Sequence, residues 1–117
     1  MIDKIKKIIE DQIGFPVYKF VKLNNIYVCM FDVFGRKNID VEDIMRNIAA
    51  FDKQGNLIWR IRDIRDIENI PDRKRGGACY TGMSVDEEKN LWIFNFIGQR
   101  YRVDYKTGKI LESQYTK

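Results

Sequence analysis

The segment Ile48 to Ile61, IAAFDKQGNLIWRI, constrains this chain more than any other. Two short apolar runs flank a polar corner, Asp52-Lys53-Gln54-Gly55-Asn56. Short apolar runs bounded by turn residues read as strands, and the corner between them reads as a hairpin turn. An echo lies near the C-terminus, Tyr101 to Leu111, YRVDYKTGKIL. In both segments an aspartate closes one strand pattern, a glycine follows, and a second strand begins. Two residues separate Asp52 from Gly55, and three separate Asp104 from Gly108. After each glycine come one polar and two aliphatic residues, Asn56-Leu57-Ile58 and Lys109-Ile110-Leu111. A hairpin and its copy imply a fold built by repetition of strands.

The remaining chain fits around these hairpins. Isoleucines at 2, 5, 8, 9 and 13 share one helical stripe, which predicts a short amphipathic helix within residues 1–14. Asp3 suits the positive end of its dipole, and Gly14 with Pro16 stops it. Val17–Leu23 and Ile26–Phe34 predict a hairpin that turns at Asn24-Asn25, because Asn tolerates positive φ. The second of these strands is apolar on both faces. Ile26, Val28 and Met30 line one side; Tyr27, Cys29, Phe31 and Val33 line the other. That predicts a central strand covered twice. Asp32 interrupts it and needs a partner or the strand's wet end. Asp40 to Met45 predicts a helical turn with Asp40 as N-cap. Further strands are expected at Arg46–Asp52, Leu57–Ile61, Ala78–Val85, Leu91–Phe96, Gln99–Asp104 and Lys109–Ser113. With 117 residues the chain fits one domain. The expected fold is mainly β over 1–117: one N-terminal helix and an antiparallel meander of about eight strands over residues 17–113.

Units of this length with four strands each are what propeller blades show. The phrases AFDKQGNLIW and VDYKTGKIL resemble the repeat of quinoprotein-type propellers, where a strand ends in Asp, a Thr-Gly turn follows, and the next strand often ends in Trp. The resemblance implies two blade-like units. A closed ring needs about four blades or more, so the units must face each other as a sandwich or continue as one curved meander. The repeat is a scaffold signature, and no cofactor comes with it. Size, lone helix, meander, and the phrases NIAAFDKQGNLIW and GQRYRVDYKTGKI also resemble small single-domain bacterial immunity proteins that neutralise secreted toxins. That resemblance implies a protein-binding role and transfers no residue by motif.

The chain has no histidine, which removes Ser-His-Asp and Cys-His arrangements and ordinary zinc sites. Ser84 and Ser113 are its only serines, and neither sits in a GxSxG turn. Cys29 and Cys79 form no CxxC pair and lie in apolar strand patterns, so both are expected as buried free thiols. Glycine-rich phosphate loops are absent from the sequence. Asp86-Glu87-Glu88 is the densest acidic group, expected as a solvated turn and not as a metal site. Trp59 and the row Trp92, Phe94, Phe96 are expected in the core, since half of a sheet must be buried. No catalytic residue, metal or cofactor is assigned, and an enzyme ranks third among the readings.

The net charge is +4, with both signs abundant. No apolar run approaches the roughly 20 residues a membrane span needs, and MIDKIKKIIEDQI does not read as a signal peptide. A cytoplasmic protein without a membrane partner is expected. Arg62 to Gly77 is longer than a usual hairpin loop and carries both charges, and long ordered loops are often functional. Its Asp63, Asp66, Glu68 and Asp72 would face basic groups of a partner, and Arg65, Arg73 and Arg75 acidic ones. The first functional reading is a non-enzymatic module that binds and neutralises a cognate bacterial toxin through these seven residues. The alternative is a small basic nucleic-acid-binding domain using Tyr18, Lys19, Phe20, Lys22, Arg100, Tyr101 and Arg102.

Overall fold

A computed structural model describes residues 1–35, 38–62, 79–95 and 98–115 of the chain. Helix α1 (Asp3–Ile13) ends at Gly14, whose φ of 88° lets its N–H reach the Glu10 carbonyl at 2.7 Å. The Glu10 carboxylate then accepts the Val17 N–H at 2.6 Å, which fixes how the chain leaves the helix. Strands β1 (Val17–Leu23) and β2 (Ile26–Phe31) form the first hairpin, with Asn24 at φ 55° in its turn. β2 stops three residues before the sequence pattern does. The Asp32 carboxylate turns back to the Phe34 N–H, and the Asp32 N–H is held by the Pro16 carbonyl. Helix α2 (Val41–Met45) has Asp40 as its N-cap, accepting the Glu42 N–H at 3.0 Å. β3 (Ile48–Phe51) and β4 (Leu57–Arg60) complete a sheet of order β1-β2-β3-β4.

β5 (Gly82–Val85), β6 (Leu91–Phe94), β7 (Gln99–Val103) and β8 (Ile110–Tyr115) form a second sheet of the same sequential order. Every neighbouring pair in both sheets is antiparallel. The expected fold class is therefore observed: eight strands in two meanders and one N-terminal helix. β5 begins later than the sequence pattern suggests, and β8 runs two residues further. Among the described residues no helix is long and apolar enough to cross a membrane.

The two sheets face each other. Val28, Met30, Ile48, Ala50, Trp59 and Ile61 of the first share one core with Tyr80, Met83, Leu91, Ile93, Tyr101 and Val103 of the second. The other face of the first sheet packs Cys29, Phe31, Val33, Ala49 and Phe51 under Ile9 of α1. β2 is thus covered on both faces, with the side chains divided as its sequence implies. Ile9 is fully buried and Ile5 and Ile13 pack beside it, while Ile2 and Ile8 lie at the margin of the stripe. The order of layers is α1, first sheet, second sheet.

The internal repeat is structural. The third strand of each sheet carries a bulge just before its aspartate, at Ala50/Phe51 and at Arg102/Val103. The aspartates then organise the turns. The Asp52 carboxylate accepts the N–H groups of Gln54 and Asn56; the Asp104 carboxylate accepts that of Lys106. The turn after β5 matches the Asp52 turn bond for bond. Asp86 accepts the N–H groups of Glu88 and Asn90 and the Asn90 side-chain amide, as Asp52 accepts those of Gln54 and Asn56 and the Asn56 amide. Lys89, at φ 66°, occupies the place of Gly55.

Candidate functional site

The registers of the second sheet place alternate side chains on the face turned away from the first. Gly82 pairs with Phe94, Phe94 with Arg100, and Arg100 with Gln114. Beside this row, Ser84 pairs with Trp92, Trp92 with Arg102, and Arg102 with Glu112. The opposite set, with Met83, Leu91, Ile93, Tyr101 and Val103, fills the core. The outer face therefore carries aromatic and arginine residues bordered by Glu112 and Gln114; Trp92 is 8% exposed, and Phe94, Arg100 and Arg102 are half-buried. No described helix or strand packs on it.

Trp92 is pinned from two directions. Its indole N–H donates to the Asp86 carboxylate at 3.0 Å, and the Arg100 guanidinium lies 4.7 Å from its ring centre. A cation held over an indole is worth about 0.5–1 kcal/mol where solvent reaches it. The backbone N–H of Asn90 and then the Trp92 indole hold the Asp86 carboxyl down to about 2. Both Asp86 oxygens are engaged by these donors, so the carboxylate builds the turn and orients Trp92. Phe94 lies across Gly82, where an added Cβ would come within 2.2 Å of its ring. Arg102 binds Glu112 at 3.0 Å, and hydrogen bonds from Gln114 and Arg102 lower the Glu112 carboxyl. Arg100 takes part in neither of the two ion pairs found among the described residues, Arg60–Asp43 and Arg102–Glu112.

The first sheet shows what this kind of face does. Its counterpart positions hold Val28 for Trp92, Met30 for Phe94, Ile48 for Arg100 and Ala50 for Arg102, as matching registers require. That face docks onto the next sheet. The docking is directional: Trp59 donates its indole N–H to the Tyr105 carbonyl at 2.8 Å, and its ring sits on Gly108. At the other end of the stack, α1 fills the same role toward the Asp52 turn. Ile8 sits on Gly55, and the Gln12 amide donates to the Gly55 carbonyl.

The seven loop residues expected to bind a partner, Asp63, Arg65, Asp66, Glu68, Asp72, Arg73 and Arg75, lie outside the described residues. The chain on either side is fixed: the Tyr80 hydroxyl donates to the Arg62 carbonyl at 2.8 Å, and the Asn47 amide to the Tyr80 carbonyl at 2.8 Å. The residues read as a nucleic-acid surface do not form one. Tyr101 is fully buried in the core. Lys19 donates to the Met83 carbonyl across the sheets, and Lys22 lies over Tyr27 on the helix side. Tyr18 and Phe20 are exposed, Tyr18 at 63%. Trp59 is in the core, as expected. Trp92 and Phe94 are not part of the inter-sheet core: β6 alternates so that Leu91 and Ile93 face inward and the aromatic pair faces out. Phe96 lies outside the described residues. The strand alone could not reveal this, since both of its faces are apolar; the arginines at alternate positions of β7 were the available signal.

A cleft of about 480 Å³ opens where the turns meet, lined by Val21, Leu23, Asn24, Val85, Lys89 and Tyr105 among others. Its polar groups are partly committed, the Asn24 amide to the Tyr105 hydroxyl, so it is the weaker candidate.

No curated protein and no solved structure matches this chain. The sequence model of a family described as a domain of unknown function (DUF7957) matches residues 6–115, and the chain belongs to that family.

Proposed function

We propose that this member of the DUF7957 family is a non-enzymatic protein-binding module, an immunity-type protein that binds and neutralises a bacterial toxin. One observation carries the reading. The outer face of the second sheet corresponds to the face by which the first sheet docks, yet it carries half-buried Phe94, Arg100 and Arg102 around Trp92, itself 8% exposed. Tryptophan and arginine are the residues on which protein interfaces concentrate their binding energy. Trp92 is already held by Asp86, and Arg100 rests on its ring, so little side-chain entropy is lost when a partner engages that guanidinium.

The test uses the product of the neighbouring reading frame. Co-expression should relieve its toxicity, and the purified proteins should form a stoichiometric complex by calorimetry. Arg100→Ala should weaken that complex by about 2 kcal/mol or more, as interface arginines at hot spots commonly do. Charge reversal at Asp66 and Arg73 tests the loop separately. A neighbouring product that neither binds nor is neutralised would overturn the toxin reading.

A further inference from the structure

We infer that the outer face of the second sheet recognises an acidic segment of a partner protein, with Arg100, held over the buried Trp92, binding a carboxylate and half-buried Phe94 lying beside it. This rests on the protein-binding reading and names the chemistry of the partner. Three features select it. Arg102 has a carboxylate of its own in Glu112, whereas Arg100 rests on Trp92 and belongs to neither described ion pair. The face therefore offers one cation beside two aromatic rings, which fits a carboxylate side chain on a peptide. A nucleic-acid backbone needs a track of cations; here Arg102 is neutralised by Glu112, which leaves the single cation of Arg100. Finally, the corresponding arginine sites in the first sheet are Ile48 and Ala50, which dock on an apolar neighbour. Replacing them with Arg100 and Arg102 makes an apolar face a poor occupant, because the Arg100 guanidinium would be buried without a carboxylate and the Arg102–Glu112 pair would lose its water.

The two tryptophans give the test its internal control. The full chain, labelled with ¹⁵N, is titrated with capped hexaglutamate, capped hexaglutamine and a short single-stranded DNA, following both indole N–H signals. Hexaglutamate should shift the Trp92 signal in a saturable way, while Trp59, buried between the sheets, stays in place. Arg100→Gln should weaken the response by about tenfold, Arg100→Lys by less, and about 0.5 M salt should suppress it. An unshifted Trp59 signal in each variant shows that the fold is kept. The inference is overturned if hexaglutamate leaves Trp92 unmoved, if Arg100→Gln responds like the parent, if hexaglutamine acts equally well, or if DNA binds more tightly than the peptide. Because no toxin is involved, failure here is distinct from failure of the neutralisation test. Binding of hexaglutamate without neutralisation would leave the acidic-segment assignment standing.

Discussion

In the first sheet Ala50 and Trp59 face each other across β3 and β4; in the second, the same two places hold Arg102 and Glu112. The backbones match down to the bulge before each aspartate, but the side chains give the two faces different fates. Ala50 leaves room for a flat ring, and Trp59 reaches over to the Tyr105 carbonyl and Gly108 of the next unit. Arg102 and Glu112 bind each other and, among the described residues, reach toward no further unit. At the opposite end, α1 packs on the Asp52 turn much as Trp59 packs on the Asp104 turn, with Ile8 in place of the tryptophan ring and Gln12 in place of its N–H. A two-unit stack thus has one end covered by a helix and the other finished with charge and aromatics.

The comparison can be broken most sharply at the tryptophan. Trp59→Ala should cost about 3–5 kcal/mol, because it removes a large ring from the shared core and orphans the Tyr105 carbonyl. Urea unfolding would show it, and a loss below about 1 kcal/mol would mean the units do not depend on this contact. The glycines come next. Gly108→Ala should cost about 2–3 kcal/mol, from its positive φ of 79° and from Trp59 ring atoms 2.7 Å from the new Cβ. Gly55→Ala, at φ 90°, should cost about 1–2 kcal/mol, since the obstacle there is a methyl of Ile8 on a surface helix that can shift. Equal costs would remove the distinction between the two dockings. Gln12→Ala should cost about 0.5–1 kcal/mol, the value of one partly buried hydrogen bond.

The remaining predictions concern titration. Asp86 is held near 2 in the folded state, below its ordinary 3.8. Its contribution is therefore present above about pH 4 and lost as the pH falls through about 2. Thermal unfolding followed from pH 5 to pH 2 should show a decline that Asp86→Asn flattens; parallel curves would contradict the role given to this turn. The smallest effect is chemical. Burial, with the Glu10 charge nearby, pushes the Cys29 thiol up to about 12. At pH 8 the folded protein should leave Cys29 unreacted with a disulfide reagent while half-buried Cys79 reacts first. Rapid labelling of Cys29 would show that the face under α1 opens.

Much of this was legible in the chain. The isoleucine stripe, Gly14 and Pro16 defined α1; the double apolar pattern of Ile26 to Phe31 identified the strand between two layers; Asp40 announced its cap. These signals are local, governed by helical or strand periodicity and by turn chemistry. The Asp52 and Asp104 segments also declared themselves a repeat, and the structure keeps that pairing in strand order. Two things were missed, one a local turn and one the choice of face. Asp86-Glu87-Glu88-Lys89-Asn90 looks unlike Asp52-Lys53-Gln54-Gly55-Asn56 until the shared hydrogen bonds are seen, because only the first and last residues carry the turn. Trp92 is buried, as an aromatic row normally is, but it and half-buried Phe94 lie on the outer face and not between the sheets.

The sequence by itself determined the elements, their antiparallel order and the two-unit repeat, since each follows from spacing and turn residues within a few positions. Tertiary structure alone decided how the units stack, and hence which face is left over. The pleat gives β6 two apolar faces of nearly equal claim to the core. Only the neighbouring β7, with Tyr101 and Val103 inward and Arg100 and Arg102 outward, settles which one enters the inter-sheet core, because guanidinium groups between the sheets would cost more than leaving Trp92 and Phe94 on the outer face.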